Sequence, residues 1–225
     1  NIGFRESTYL KPQLTDLMAQ KPELKCETKT LQAEHYQYFD MLLVEPKWLH
    51  FYEYEAVDTV AMGQKVIWKG NDSNIGFYKR IGAGDKGYFP YNKAYSRLPK
   101  VLHQKIDILE GWDELPSSGK LLIITKSLKD VVVLRSCGYN AVSLSSETSV
   151  NIFILFYWHI SERFENIIVW GDPDAAGAVL VRNVKKYIPR AKEAKSIIDK
   201  DVSDIIMVTR NRFFINLIID RALKS

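Results

Sequence analysis

At 225 residues, with 46% hydrophobic and 12% aromatic residues, the chain has ample material for a packed core and is not a disordered polymer. Its 31 Lys and Arg against 27 Asp and Glu give a formal charge of +4, which permits a polyanionic partner without requiring one. Two cysteines, Cys26 and Cys137, have no second Cys or His at ligand spacing, which argues against a zinc ribbon or a disulfide framework and suits a reduced, intracellular protein.

The chain opens on NIGFRESTYLKPQL, without an initiator Met or clear periodicity, and residues 1–30 read as a linker or extension. Residues 31–43, LQAEHYQYFDMLL, look helical. Short alternating stretches follow at 47–57 (KWLHFYEYEAV), 64–70 (QKVIWKG), 75–81 (IGFYKRI) and 86–91 (KGYFPY), divided by GNDSN and GAGD turns of the kind that punctuate hairpins. Residues 31–118 are therefore expected to form a smaller mixed α+β subdomain, closed by the seam LEGWDELPSSGK at 109–120.

From residue 119 to 225 the texture becomes regular. Apolar strands at 121–125 (LLIIT), 139–144 (YNAVSL), 166–170 (NIIVW) and 194–199 (AKSIID) alternate with helical segments at 128–138, 146–164 and 175–188. Strands apolar on both faces, separated by helices, predict an α/β domain with a parallel sheet covered on both sides. Residues 150–160, VNIFILFYWHI, fall well short of the roughly 20 needed to span a bilayer and read as a buried core helix. With no basic-then-apolar export signal, the expected location is the cytoplasm, with no membrane partner.

Ligands of an open parallel sheet sit beyond the carboxyl ends of its strands, and those positions here are acidic. Asp172 and Asp174 follow the third strand, Glu147 the second, and Asp201 and Asp204 the fourth, while Asp130 lies one turn into the first helix. Taken alone, DPDAAG is a strand end followed by an N-cap at Asp174. Taken together, carboxylates on one edge repel one another unless a cation compensates, and hard divalent ions take oxygen ligands, which suggests Mg2+ or Mn2+. Lys200, beside Asp201, either pairs with these acids, meets a phosphate, or is simply solvated. In residues 31–118, Lys65, Lys69, Lys79, Arg80, Lys86 and Lys93 alternate with Trp68, Phe77, Tyr78, Tyr88, Phe89 and Tyr91. That interleaving suits single-stranded nucleic acid, and equally suits strands with an aromatic core and solvated edges.

The segments LLIITKSLKDVVVL, GYNAVSLSSE, NIIVWGDPDAAG and DKDVSD, in that order, resemble the Toprim domain shared by DNA primases, topoisomerases and some nucleases. The seam and the KGYFPY strand make the chain more specifically similar to primases of phages and mobile elements. The resemblance implies a DNA primase catalytic core, a DNA-directed RNA polymerase that joins ribonucleoside triphosphates into short primers on single-stranded DNA. It implies Asp172, Asp174 and Glu147 as catalytic, metal-holding acids with Asp130 as a further metal ligand. Lys126, Lys86, Lys200, Asp201 and Asp204 would meet substrate. A replicative helicase or a separate zinc-binding module would be partners; the chain has no phosphate-binding Gly-x-x-x-x-Gly-Lys-Ser/Thr loop of its own. The cytoplasm would be that of the host if the chain is phage-encoded. One departure matters: where many Toprim proteins carry a glutamate then a glycine after the first strand, this chain carries Lys126 and Ser127. A Toprim nuclease and a non-catalytic module binding single-stranded DNA or a replisome partner are the alternatives.

Overall fold

Turn-punctuated aromatic strands in the first half of the chain and apolar βα repeats in the second produce two sheets of opposite character. The computed structural model describes residues 24–92, 101–104, 106–144, 150–196 and 201–225. The first sheet is built from β1 (Leu24–Lys29), β2 (Glu55–Met62), β3 (Lys65–Lys69), β4 (Phe77–Ile81), β5 (Gly84–Tyr88) and β6 (Val101–Gln104). Its order is β1-β2-β4-β5-β6 with β3 also pairing β2, and every pairing is antiparallel. Two helices lie between β1 and β2, α1 (Ala33–Asp40) and α2 (Pro46–Phe51).

Two features depart from the sequence reading. Leu24–Lys29 lies within the expected extension, yet it pairs along β2. Residues 47–51, expected to alternate as a strand, belong to α2. Pro46 sits in the first turn, where its fixed φ and missing N–H suit a helix start, and the amide of Tyr52 closes the last turn on the Trp48 carbonyl at 3.0 Å. Helical spacing then buries Leu49 and Tyr52 together.

The second sheet is parallel, in the order β10-β9-β7-β8. Its strands are β7 (Gly119–Thr125), β8 (Asn140–Ser143), β9 (Phe164–Val169) and β10 (Lys192–Glu193). The fourth strand is thus two residues long and begins before the expected 194–199, whose last three residues lie outside the described ones. Between and after the strands come α3 (Leu128–Ser136), α4 (Val150–Arg163), α5 (Ala175–Tyr187), α6 (Val202–Thr209) and α7 (Phe213–Lys224).

Successive side chains of these strands point to opposite faces, and each face has its own core. Leu122, Ile124, Val142, Ile167 and Val169 pack against Phe153 and Ile160 of α4 and Leu180 and Val184 of α5. Ile123, Ala141 and Ile168 join α3, α6 and α7 in a second cluster that continues into Tyr38, Phe39, Leu49, Tyr52 and Phe77 of the antiparallel half. Helix α4 is less buried than its composition suggests: Leu155 is 67% and Trp158 60% exposed. Among the described residues no helix is long and apolar enough to cross a membrane. Both cysteines are free, and burial lifts their thiols, that of Cys26 to about 11 with help from the Asp85 charge.

Candidate functional site

The parallel strands deliver their carboxyl ends to the side facing β4 and β5. Lys126 and Ser127 follow β7, and Asp172 follows the adjacent β9. The β9–α5 crossover is tight enough to need glycine. A Cβ on Gly177 would lie 2.0 Å from the Asp172 carbonyl oxygen, and one on Gly171 would lie 2.6 Å from the Gly177 carbonyl oxygen. The backbone carrying Asp172 is thereby pressed against the first turn of α5.

Helix starts fix the other acids. Asp174 caps α5 by accepting the Gly177 amide at 2.9 Å, and its side chain is exposed. Asp201 caps α6 through the Asp204 amide at 2.7 Å. Asp130 is fully buried; it receives the Ser127 hydroxyl at 2.6 Å and the Ser203 amide at 3.1 Å, together with the Ser203 hydroxyl. Asp130 therefore ties the start of α3 to the start of α6 and spends its lone pairs on that tie.

The cations stand among these acids. The Lys126 ammonium hydrogen-bonds to Asp172 and lies 3.4 Å from Asp201, and that of Lys129 lies 4.0 Å from Asp201. Burial opposes the charge of Lys126, but the Asp172 hydrogen bond and the charges of Asp201, Asp172 and Asp130 outweigh it and raise the ammonium above lysine's ordinary range. Burial lifts the Asp172 carboxyl, with Asp201 and Asp174 adding to the rise and Lys126 opposing it; the net direction is up. Asp201 also resists burial, yet Lys129, the Asp204 amide and Lys126 hold it below the usual carboxylate range. Asp130 is raised by burial and then by Asp201.

Across from this edge, Lys79 and Lys86 face each other on β4 and β5. Each ammonium is matched by a glutamate of the seam: Lys86 to Glu110 at 2.5 Å, Lys79 to Glu114 at 2.7 Å. Glu110 also accepts the Ser143 hydroxyl at 2.6 Å and exchanges backbone hydrogen bonds of 2.9 Å with Ser143. Between the two sheets is a cavity of about 190 Å³, bordered by these two lysines, by Lys126, Lys129 and Asp201, and by Tyr54, Phe77 and Tyr88.

No protein-family model and no curated protein matches the chain. Solved structures do match. The primase fragment of the bacteriophage T7 primase-helicase protein aligns with a TM-score of 0.57 at 16% identity, over 88% of this chain and 75% of that one. The DnaG primase catalytic domain bound to single-stranded DNA gives 0.58 at 15%, over 85% and 73%. A DNA primase domain from Pseudomonas aeruginosa gives 0.54 at 12%, over 83% and 70%. The fold is that of a DNA primase catalytic core.

Within this primase fold, the structure brings Asp172, Lys126, Asp201 and Asp130 together and sets Lys86 across the cavity from them. Asp204 lies in the first turn of α6 beside Asp201. Glu147, Lys93 and Lys200 lie outside the described residues. Trp68, Phe77 and Phe89, expected to stack on bases or to form core, are buried. Lys129 and Ser203 were not singled out from the sequence. Lys129 lies in the first turn of α3, just after the strand end that carries Lys126, and that position at the carboxyl edge of the sheet was the available signal.

The described residues do not assemble a seat for a divalent ion. Among them no three His, Cys, Asp or Glu side chains converge closely enough to hold a metal. The space beside Asp172 and Asp201 is taken by the Lys126 ammonium, and Asp174 is committed to its helix cap.

Proposed function

We propose that the chain is a DNA primase catalytic core that extends short RNA primers on single-stranded DNA. The observation that carries this reading is the cavity between the two sheets, where lysines from both sides face an acidic strand edge in a primase fold. The neighbours agree in kind: one DnaG structure holds single-stranded DNA, and T7 primase domains occur in a complex with the lagging-strand DNA polymerase that contains an RNA/DNA hybrid and dTTP. In this reading residues 31–118 supply the basic wall, and residues 119–225 supply the acids.

The reaction joins a ribonucleotide 3′-hydroxyl to the α-phosphate of an incoming triphosphate and releases pyrophosphate. Negative charge grows on the phosphate oxygens at the transition state, and fixed cations in a water-poor site stabilise it. Lys126 and Lys129 are placed for that role. Lys79 and Lys86, already matched by glutamates, hold the wall in position and lend a milder field. Asp172, on the same edge and held there by the Lys126 ammonium, is proposed as a catalytic acid of this reaction. Glu147, on the same edge by its sequence position, is proposed as a further catalytic acid, and Lys200 and Asp204 as contacts to substrate.

A second reading has a specific observation behind it. Lys126 stands where many Toprim proteins carry a glutamate, and it is already engaged by two aspartates, which would suit a module that binds single-stranded DNA or a replisome partner without turnover. Labelled ribonucleotides, a single-stranded template and Mg2+ or Mn2+ separate the cases. Short RNA products are expected, with Asp172→Asn lowering their yield by about 100-fold or more while the chain stays folded. Template binding without RNA supports the second reading, and shortened DNA would indicate a nuclease.

A further inference from the structure

Lys126 is not a surface lysine that happens to lie near acids. Its side chain is 24% exposed, those of Asp172 and Asp201 are 20% and 14% exposed, and its ammonium contacts both carboxylates. The two aspartates come from different elements, the loop after β9 and the cap of α6, and Lys126 from a third, the end of β7. Asp130, buried behind Asp201, adds a further negative charge. Without the ammonium, these acids would face one another across a partly dry gap, the arrangement that favours capture of a hard divalent ion.

We propose that Lys126 is a resident cation of this edge, occupying the position between Asp172 and Asp201 that a divalent ion would otherwise take, so that metal reaches these carboxylates only when the ammonium leaves. The inference concerns the same site as the primase reading and rests on that reading for the site's purpose, although its geometry does not depend on it. A divalent ion entering beside Lys126 would meet both a filled coordination space and a like charge at close range. Affinity for metal is accordingly suppressed in the chain as it stands, and an uncharged side chain at position 126 releases it.

The test is Mn2+ binding to the whole chain without nucleotide or template, read by electron paramagnetic resonance of the free ion and checked by calorimetry with Mg2+. Lys126→Met is expected to tighten one Mn2+ site by on the order of 100-fold, and Lys126→Glu by more, because it adds an oxygen ligand. Adding Asp172→Asn to Lys126→Met should return the affinity to that of the unaltered chain. Equal affinity in the unaltered chain and Lys126→Met overturns the proposal, as does a gain that survives Asp172→Asn. If Lys126→Met folds only with metal, its affinity is read from the rise of Tm with Mn2+. Absence of any such rise overturns the proposal as well. Primer synthesis is not the readout, so an inactive chain would count against the primase reading and leave this result standing.

Discussion

The difference between an acid and a lysine at position 126 changes the electrostatics of the whole edge. That position was legible in the sequence as a departure, because a strand end followed by Lys-Ser is visible without a structure. What was not legible was its partner: Lys126 is 46 residues from Asp172 and 75 from Asp201, and only the strand order brings them together. His35 shows the same limit. It has no second histidine at ligand spacing, yet it is buried against Phe77, and its Nδ1 accepts the Gln32 amide at 3.3 Å. Burial lowers its basicity, Lys29 adds to this, and Glu34 and backbone contacts oppose it without reversing it. A histidine lowered in the folded state contributes stability that is whole above its ordinary value of about 6.5 and is lost as pH falls through the folded value. Unfolding free energy should therefore decline as pH falls below about 6.5. His35→Gln should flatten that decline in urea titrations, and an unchanged slope would count against His35 as its source.

Helix and strand starts explain why most elements were readable and a few were not. Parallel strands, apolar on both faces, announce themselves, whereas Lys192–Glu193 carries no apolar signature and is defined by its hydrogen bonds to β9 alone. Helix α2 was hidden because its aromatic WLHFY run leads straight into the alternating EYEAV that runs into β2, and Pro46 marks where the helix starts. The turn between β9 and α5 shows in the sequence as DPDAAG, and its glycine is required: the backbone of Asp172 fills the space a Gly177 side chain would need. Gly177→Ala should consequently destabilise the chain by about 1–3 kcal/mol or more through a clash with backbone that cannot rotate away. Calorimetry should show the loss, and a neutral Gly177→Ala would mean that the crossover is looser than drawn.

The two sheets are joined by more than the seam between them. One apolar cluster runs from α1 and α2 through β4 to α3, α6 and α7, and Arg212 of the C-terminal segment hydrogen-bonds the Leu43 carbonyl. The sequence showed a change of texture near residue 119 but not this shared core, since its members come from both ends of the chain. The buried pair of Lys86 and Glu110 crosses the same boundary. Lys86→Met leaves Glu110 charged and enclosed and should cost about 3–5 kcal/mol, whereas the double change Lys86→Met with Glu110→Met should recover much of that loss. Urea unfolding of the three variants checks both statements. The same pair also fixes a dimension. Lys86 stands on β5 and Glu110 exchanges backbone hydrogen bonds with Ser143 of β8, so sliding one sheet over the other would part a buried ion pair, and the width of the cavity between them is held by that tie.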